Sequence, residues 1–90
     1  MNLIQHFIDG KIVPGNSKRT GKVFDPATGD QKSEVKLGTQ SDLMEAVKIA
    51  KKAFETWSLK PPIQRARIIF KFKELIEKNS DELTKMIVSE

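Results

Sequence analysis

The sequence contains no cysteine. This absence excludes a disulfide framework, a zinc site built on thiolates and a cysteine nucleophile within these 90 residues. There is one histidine, His6, so a metal cluster built on several imidazoles is excluded too. No partner nucleophile for His6 is evident, and we therefore expect a surface or edge-strand position for it, not a catalytic one.

Long apolar runs are also missing. The first residues, Met1 to His6, lack the basic segment and the apolar run of a secretory signal, and no later run is long enough to cross a bilayer. We expect a cytoplasmic protein with no membrane partner. The net charge of +4 comes from 16 basic and 12 acidic residues that alternate in sign, which favours a solvated surface. Ninety residues make one small domain or a piece of a larger one.

The first part of the chain has short apolar runs separated by turn signals. Phe7-Ile8 and Ile12-Val13 flank Asp9-Gly10, which predicts a β-hairpin with a two-residue type I′ turn. Val23-Phe24 predicts an edge strand. Residues 33–37 alternate like a strand with one solvated face.

Between the last two predicted strands lies FDPATGD, residues 24–30. A phosphate site would need a glycine-rich loop leading into a helix, whereas this segment has one glycine and leads into a strand. A calcium loop would need oxygen ligands at alternate positions over about twelve residues, and these carboxylates do not fit that spacing. A turn explains each residue, because Asp25 can accept backbone hydrogen bonds, Pro26 fixes φ and Gly29 can take positive φ.

Helical periodicity begins after Gly38. Thr39 and Asp42 have the spacing of a capping box for a first helix. An apolar stripe at helical spacing predicts the buried face of this helix: Leu43, Val47, Ala50, Phe54 and Trp57. The opposite face is charged, with Glu45, Lys48, Lys51, Lys52 and Glu55. Lys51 and Glu55 are spaced to form an ion pair one turn apart.

A second helix is predicted from about Pro62 to Lys78. Its apolar residues occupy two sectors, which predicts packing from two sides. The sectors are Ile68, Ile69, Phe72, Leu75 and Ile76 on one side, and Ile63, Ala66 and Phe70 on the other. Ser80 is predicted to cap a third helix, whose apolar stripe begins at Leu83 and meets no stop signal before Glu90.

The basic residues of the second helix form a candidate nucleic-acid surface: Arg65, Arg67, Lys71, Lys73 and Lys78. Glu74 and Glu77 are interleaved with them. Phe70 and Phe72 have the spacing of core residues and do not form a stacking platform on a strand. A nucleic-acid partner is therefore not expected.

Four segments in this order resemble the N-terminal part of the aldehyde dehydrogenase superfamily. They are FIDGKIV, VFDPATGD, SDLMEAVKIAKKAFETW and RARIIFKFKELIEKNSDELTKMIVSE, and the likeness extends from about His6 to Glu90. Within the superfamily, HFIDGK and RARIIFKFKELIEKN are most similar to the CoA-acylating methylmalonate-semialdehyde dehydrogenases.

The resemblance implies an α/β (mixed) fold that forms part of an aldehyde dehydrogenase-like cofactor domain. An N-terminal β-hairpin and short strands are followed by three α-helices. We divide the chain into a strand-rich hairpin and turn segment, residues 1–38, and a helical segment, residues 39–90. Together they make one incomplete domain.

The resemblance also implies an NAD-dependent oxidoreductase in which a cysteine thiolate attacks an aldehyde, hydride passes to NAD and the thioester passes to CoA or water. No residue of this sequence carries over to those roles, so we assign no catalytic, cofactor-binding or metal residue. The chain is several times too short for the family and looks like a truncated product or a fragment. Alone, it is expected to be inactive and to bind no cofactor.

The expected partner is the remainder of the dehydrogenase, or another copy of the chain, bound through the apolar helix faces. A free-standing protein-interaction module without catalysis stays open as an alternative. A small basic nucleic-acid binder is a further one.

Overall fold

A computed structural model describes residues 2–90. In these residues, short strands come first and helices follow. The elements are β1 Asn2–Ile4, β2 His6–Ile8, β3 Lys11–Val13, β4 Thr20–Phe24, β5 Gln31–Lys36, α1 Gln40–Trp57, α2 Pro62–Lys78 and α3 Ser80–Val88. The predicted α/β (mixed) class, with three helices after the strands, is confirmed.

The predicted hairpin is present. Strands β2 and β3 pair antiparallel with Ile8 opposite Lys11, so that Asp9 and Gly10 alone form the loop. Both loop residues have positive φ, 58° and 72°, as a type I′ turn requires. The twist of this turn matches the twist of the two strands, which is why Asp-Gly at this position selects the hairpin.

A second, three-stranded sheet has the order β1-β5-β4. Strand β4 pairs antiparallel with β5 and lies at the edge, as predicted for Val23-Phe24. Strand β1 lies on the other side of β5 and runs parallel to it, with Asn2 opposite Ser33. No pattern in the sequence predicts β1, because three residues are too few to show a period.

Helix α1 begins as predicted. Thr39 accepts a hydrogen bond from the Asp42 amide, and the Asp42 carboxylate accepts one from the Thr39 amide, which completes a capping box. The predicted buried stripe is wrong within this chain, because Leu43 and Phe54 are each 63% exposed. Nor does the structure bring Lys51 and Glu55 into an ion pair.

The face of α1 that lies against the β2–β3 hairpin is shifted round the helix and shares Ala50 with the predicted stripe. Ala46, Ile49, Ala50 and Ala53 line a groove with Phe7 and Ile8 of the hairpin. This face lies roughly a quarter turn round the helix from the predicted stripe. The periodicity identified an apolar stripe, but Asp42 fixes which side of α1 meets the hairpin.

Helix α2 has the predicted bounds, and Pro61-Pro62 begins it. The predicted cap at Ser80 is wrong, because Ser80 is already inside α3 and Asn79 lies between the two helices. The Asn79 side-chain amide donates to the carbonyl of Leu75 at 2.7 Å and so closes α2. The Asn79 carbonyl accepts from the Leu83 amide at 3.0 Å, which begins α3.

The described residues enclose no apolar core. No hydrophobic side chain among residues 2–90 is fully buried. The accessible surface is 7712 Å², against about 5,300 Å² for a compact protein of this mass. The radius of gyration is 16.9 Å, against about 12 Å for a compact 90-residue domain, and the thinnest dimension is 15 Å. The chain is one layer of secondary structure, whereas stable domains pack two.

None of the described helices combines the length and apolar character needed to cross a membrane.

Candidate functional site

The most polar junction of the chain lies at the start of α1. Asn16, in the loop after β3, donates from its side-chain amide to Asp42 Oδ1 at 2.8 Å. Its backbone amide donates to both carboxylate oxygens, at 3.1 and 3.2 Å. The Thr39 amide donates to Oδ2 at 2.9 Å. One carboxylate therefore caps the helix and holds the hairpin segment against it.

These donors perturb the ionisation of Asp42, which is one of the few polar side chains that this chain buries. The backbone amide of Thr39 makes the largest contribution and holds the pKa of Asp42 below its ordinary value of 3.8. Burial of the carboxyl opposes this. The Asn16 amide, the Thr39 side chain and the nearby His6 all act in the same direction as the Thr39 amide.

His6 takes part in this junction, and the expected edge-strand position is confirmed, because β2 belongs to a two-stranded sheet. It belongs to strand β2, as expected, but its side chain is half-buried between the hairpin and the start of α1. Its Nε2 is shielded from solvent and has no hydrogen-bond partner among residues 2–90. The sequence has no second imidazole, and His6 packs beside Ile8, Thr39 and Asp42.

Gly15 allows this close approach. Its φ is +70°, and a Cβ there would lie 2.8 Å from His6 Nε2 and 2.9 Å from Asp42 Oδ2. Any side chain would displace the imidazole or the carboxylate. Sequence reasoning missed both Gly15 and Asn16 as partners of Asp42, because contacts across 26 residues leave no local pattern.

The segment FDPATGD forms the turn between β4 and β5. Asp25 Oδ1 accepts from the Ala27 amide at 2.8 Å, and Gly29 has φ +78°, as predicted. The Asp25 amide donates to the Asp30 carbonyl at 2.9 Å, and the Gly29 amide donates to the Asp25 carbonyl at 2.8 Å. These bonds use the backbone groups that a bound anion would need, and the interpretation as a turn is confirmed.

A dinucleotide does not fit the residues present. The one strand-to-helix connection between β5 and α1 has a single glycine, Gly38, where a dinucleotide loop needs several. The Thr39 amide at the start of α1 already donates to the Asp42 carboxylate, whose negative charge would repel a pyrophosphate. Within residues 2–90, no three side chains among His, Asp and Glu cluster as metal ligands.

The basic side chains of α2 do not form an uninterrupted positive surface. Lys71 Nζ lies 3.5 Å from Glu74 Oε2, and Lys73 Nζ lies 3.3 Å from Glu77 Oε1. All four side chains are well exposed, so each pair contributes at most a few tenths of a kcal/mol. The pairs nevertheless neutralise the middle and end of the helix, which is the opposite of what a phosphate backbone requires.

The largest feature of the described chain is its uncovered apolar surface. Both predicted sectors of α2 are present, and the chain covers neither. Exposed apolar side chains on the three helices include Leu43, Val47, Phe54, Ile63, Phe70, Phe72, Leu75 and Ile87. A soluble monomer rarely exposes an apolar area on this scale. The exposed apolar faces of the helices are therefore suited to packing against another protein surface.

Several known proteins are similar to this chain in sequence and in fold. Malonate-semialdehyde dehydrogenase from Bacillus pumilus is 37% identical over 90 residues, which cover all of this chain and 18% of that protein. The corresponding enzyme of Pseudomonas aeruginosa is 36% identical over 90 residues, again with 18% of its length covered. The chain thus spans less than a fifth of these relatives.

Two crystal structures superpose closely on the whole chain. One, described as a methylmalonate-semialdehyde dehydrogenase from Sinorhizobium meliloti complexed with NAD, has a TM-score of 0.96 and 42% identity. The other, methylmalonate-semialdehyde dehydrogenase from Oceanimonas doudoroffii, has a TM-score of 0.94 and 39% identity. This chain covers 18% of each. The chain matches the N-terminal part of these enzymes, and the sequence model of the aldehyde dehydrogenase family matches residues 12–90, so the chain belongs to the aldehyde dehydrogenase family.

Proposed function

We propose that these 90 residues serve as the non-catalytic, N-terminal portion of an NAD-dependent aldehyde dehydrogenase that oxidises a semialdehyde of the malonate or methylmalonate type. The single observation that carries the proposal is the match of the whole chain to less than a fifth of enzymes with those names. The chain supplies no thiol of its own. In this proposal the chain contributes a layer of secondary structure on which the remainder of the enzyme packs.

The partner in this proposal is the remainder of the dehydrogenase. The exposed sectors of α1 and α2 are apolar, and a second layer packed on them would give the chain the core that it lacks. The residues of that second layer would supply the nucleophile and bind NAD, with CoA as the acyl acceptor. A cytoplasmic location belongs to the same proposal, because the reaction draws on a pool of NAD and CoA.

A chimeric enzyme tests the proposal. The first 18% of the Sinorhizobium meliloti dehydrogenase, which this chain matches, is replaced by residues 1–90. We expect the chimera to reduce NAD in the presence of methylmalonate semialdehyde. The matched control is the same enzyme with its N-terminal segment deleted, which should lose activity because its second layer then has nothing to pack against.

Two results would contradict the proposal. One is a folded chimera, with the circular dichroism spectrum and oligomeric state of the parent, that fails to reduce NAD. The other is a deleted control that retains full activity, since the segment would then not be needed. In either case the uncovered helix faces would favour the free-standing interaction module.

A further inference from the structure

Three side-chain atoms are shielded from solvent and have no hydrogen-bond partner among residues 2–90: His6 Nε2, Ser33 Oγ and Arg65 Nε. The first two belong to groups that can be neutral, an imidazole and a hydroxyl. The guanidinium of Arg65 is always ionised, so shielding it without a partner costs the most free energy of the three.

Arg65 occupies a distinct position in α2. Arg65 and Ala66 are the only residues of this helix that are not exposed. The guanidinium nevertheless makes no ion pair within residues 2–90. Lys36 is half-buried as well, and its ammonium group donates to the carbonyl of Ser17. The described chain thus gives a partner to one half-buried cation and none to the other.

The surroundings of Arg65 favour an anion as the missing partner. Arg65 lies at the end of the first turn of α2, where the helix dipole is positive. This turn contains no acidic residue, and Pro61 before it provides no capping side chain. A carboxylate there would be attracted by the guanidinium and by the helix start together. A backbone carbonyl would accept from Nε but would leave the charge unpaired.

Arg65 also lies on a side of α2 that the remainder of the enzyme covers in the proposed function. Phe72 and Ile76 follow Arg65 by about two and three helical turns, so the three side chains project from one side of the helix. A layer that packs on this side would remove the guanidinium from solvent. Because an unpaired charge in such an interface is strongly destabilising, the covering surface has to present an opposite charge.

We propose that Arg65 anchors this chain to the remainder of the dehydrogenase, where its guanidinium pairs with an aspartate or glutamate carboxylate from outside residues 1–90. This inference rests on the proposed function and deepens it, because it names the chemical group that meets α2. Arg65 has no part in the reaction itself.

Thermal melting of the chimera with the Sinorhizobium meliloti enzyme gives the first test. Arg65→Met keeps the aliphatic stem and removes the charge, and should lower the melting temperature by about 5 °C or more. Arg65→Lys keeps the charge and should restore part of this loss. The matched controls are Arg67→Met and Arg67→Lys, at an exposed position of the same helix, which should change the melting temperature little. If Arg65→Met and Arg65→Lys melt alike, Arg65 acts through its stem alone and the proposal is wrong.

Carbodiimide coupling identifies the partner group. This reagent joins a lysine amine to a carboxylate in direct contact, with loss of water. In the Arg65→Lys chimera, we expect mass spectrometry to find the introduced amine linked to an aspartate or glutamate outside residues 1–90. The Arg67→Lys chimera should lack this link. A link to a carboxylate within residues 1–90, or no link at all, would overturn the proposal.

A phosphate group of NAD or CoA is the competing anion. In that case Arg65→Met would leave the melting temperature of the unliganded chimera unchanged and would raise the KM for NAD or CoA, which would exclude the carboxylate. An active chimera that tolerates Arg65→Met contradicts only the pairing of Arg65, whereas a folded chimera that does not reduce NAD contradicts the proposed function.

Discussion

The carboxylate of Asp42 accepts hydrogen bonds from both the backbone and the side-chain amide of Asn16, a residue 26 positions earlier in the chain. In a chain without a buried apolar core, this contact carries much of the connection between the β2–β3 hairpin and α1. Two apolar layers usually hold such elements together, whereas here a charged group at a helix start does so.

The first prediction concerns the pH dependence of this junction. The pKa of Asp42 is lowered in the folded chain, so the ionised carboxylate contributes stability that is present above its unfolded pKa and is lost as pH falls through the folded one. We expect the melting temperature to fall as pH drops below about 4. In Asp42→Asn this part of the pH dependence should be missing.

Thermal melts of both proteins between neutral pH and pH 2.5 measure the effect. The two melting temperatures should differ most near neutral pH and converge in acid, because protonation of Asp42 removes the same charge as the substitution. A constant difference across the whole range would show that Asp42 contributes through shape and not through its charge.

The second prediction compares two glycines with nearly equal backbone angles. Gly10 has φ +72° and Gly15 has φ +70°. An added Cβ meets nothing within 4 Å at Gly10, whereas at Gly15 it meets His6 and Asp42 at under 3 Å. Gly10→Ala should lower the free energy of unfolding by about 1 kcal/mol, through the strain of a left-handed alanine alone. Gly15→Ala should lower it further, because the added Cβ also displaces His6 or Asp42.

Urea denaturation followed by circular dichroism gives both losses of unfolding free energy. Gly10→Ala is the matched control, since the two variants share the strain of a left-handed alanine. If the two losses are equal, the close approach of Gly15 to His6 and Asp42 has no energetic role.

Local signals account for what the sequence predicted. The Asp9-Gly10 turn, the capping box of Thr39 and Asp42, the FDPATGD turn and the bounds of α2 each depend on residues a few positions apart. Each therefore has a recognisable spacing. Such signals are set by backbone conformation and do not depend on distant residues.

Non-local contacts account for what the sequence did not predict. Strand β1 exists because it pairs with β5, thirty residues away, and not because of its own composition. The orientation of α1 depends on Asn16 and Gly15, which contact Asp42 from outside the helix. The half-buried position of His6 follows from the same contacts. Contacts between residues so far apart in the chain produce no periodic pattern in a single sequence.

The third prediction separates a turn from a ligand loop at FDPATGD. Gly29 has φ +78° with open space around it, so Gly29→Val should destabilise the fold by at least about 1–2 kcal/mol through backbone strain alone. Asp30→Asn should be nearly neutral, because only backbone atoms of Asp30 take part in the hydrogen bonds of the turn. Gly29→Asn is the control, since asparagine tolerates this backbone region better than valine.

Melts of the three variants with and without Ca²⁺, Mg²⁺ or phosphate test it. A turn predicts the order of stability Asp30→Asn, Gly29→Asn, Gly29→Val, unchanged by any ion. A rise in melting temperature with one ion that Asp30→Asn abolishes would show that the segment binds a ligand.

The last prediction is that the 90-residue chain alone does not reduce NAD in the presence of malonate or methylmalonate semialdehyde. Covalent oxidation of an aldehyde to a thioester needs a thiolate nucleophile, and this sequence has no cysteine. At the helix start that follows β5, the Thr39 amide already donates to the Asp42 carboxylate, whose negative charge would repel a pyrophosphate. NADH absorbance and tryptophan fluorescence from Trp57 report turnover and nucleotide binding separately, and both should stay at the level of buffer. Turnover that is proportional to chain concentration and survives a second purification would contradict the assignment of a non-catalytic role, because a nucleophile other than cysteine would then have to lie within these residues.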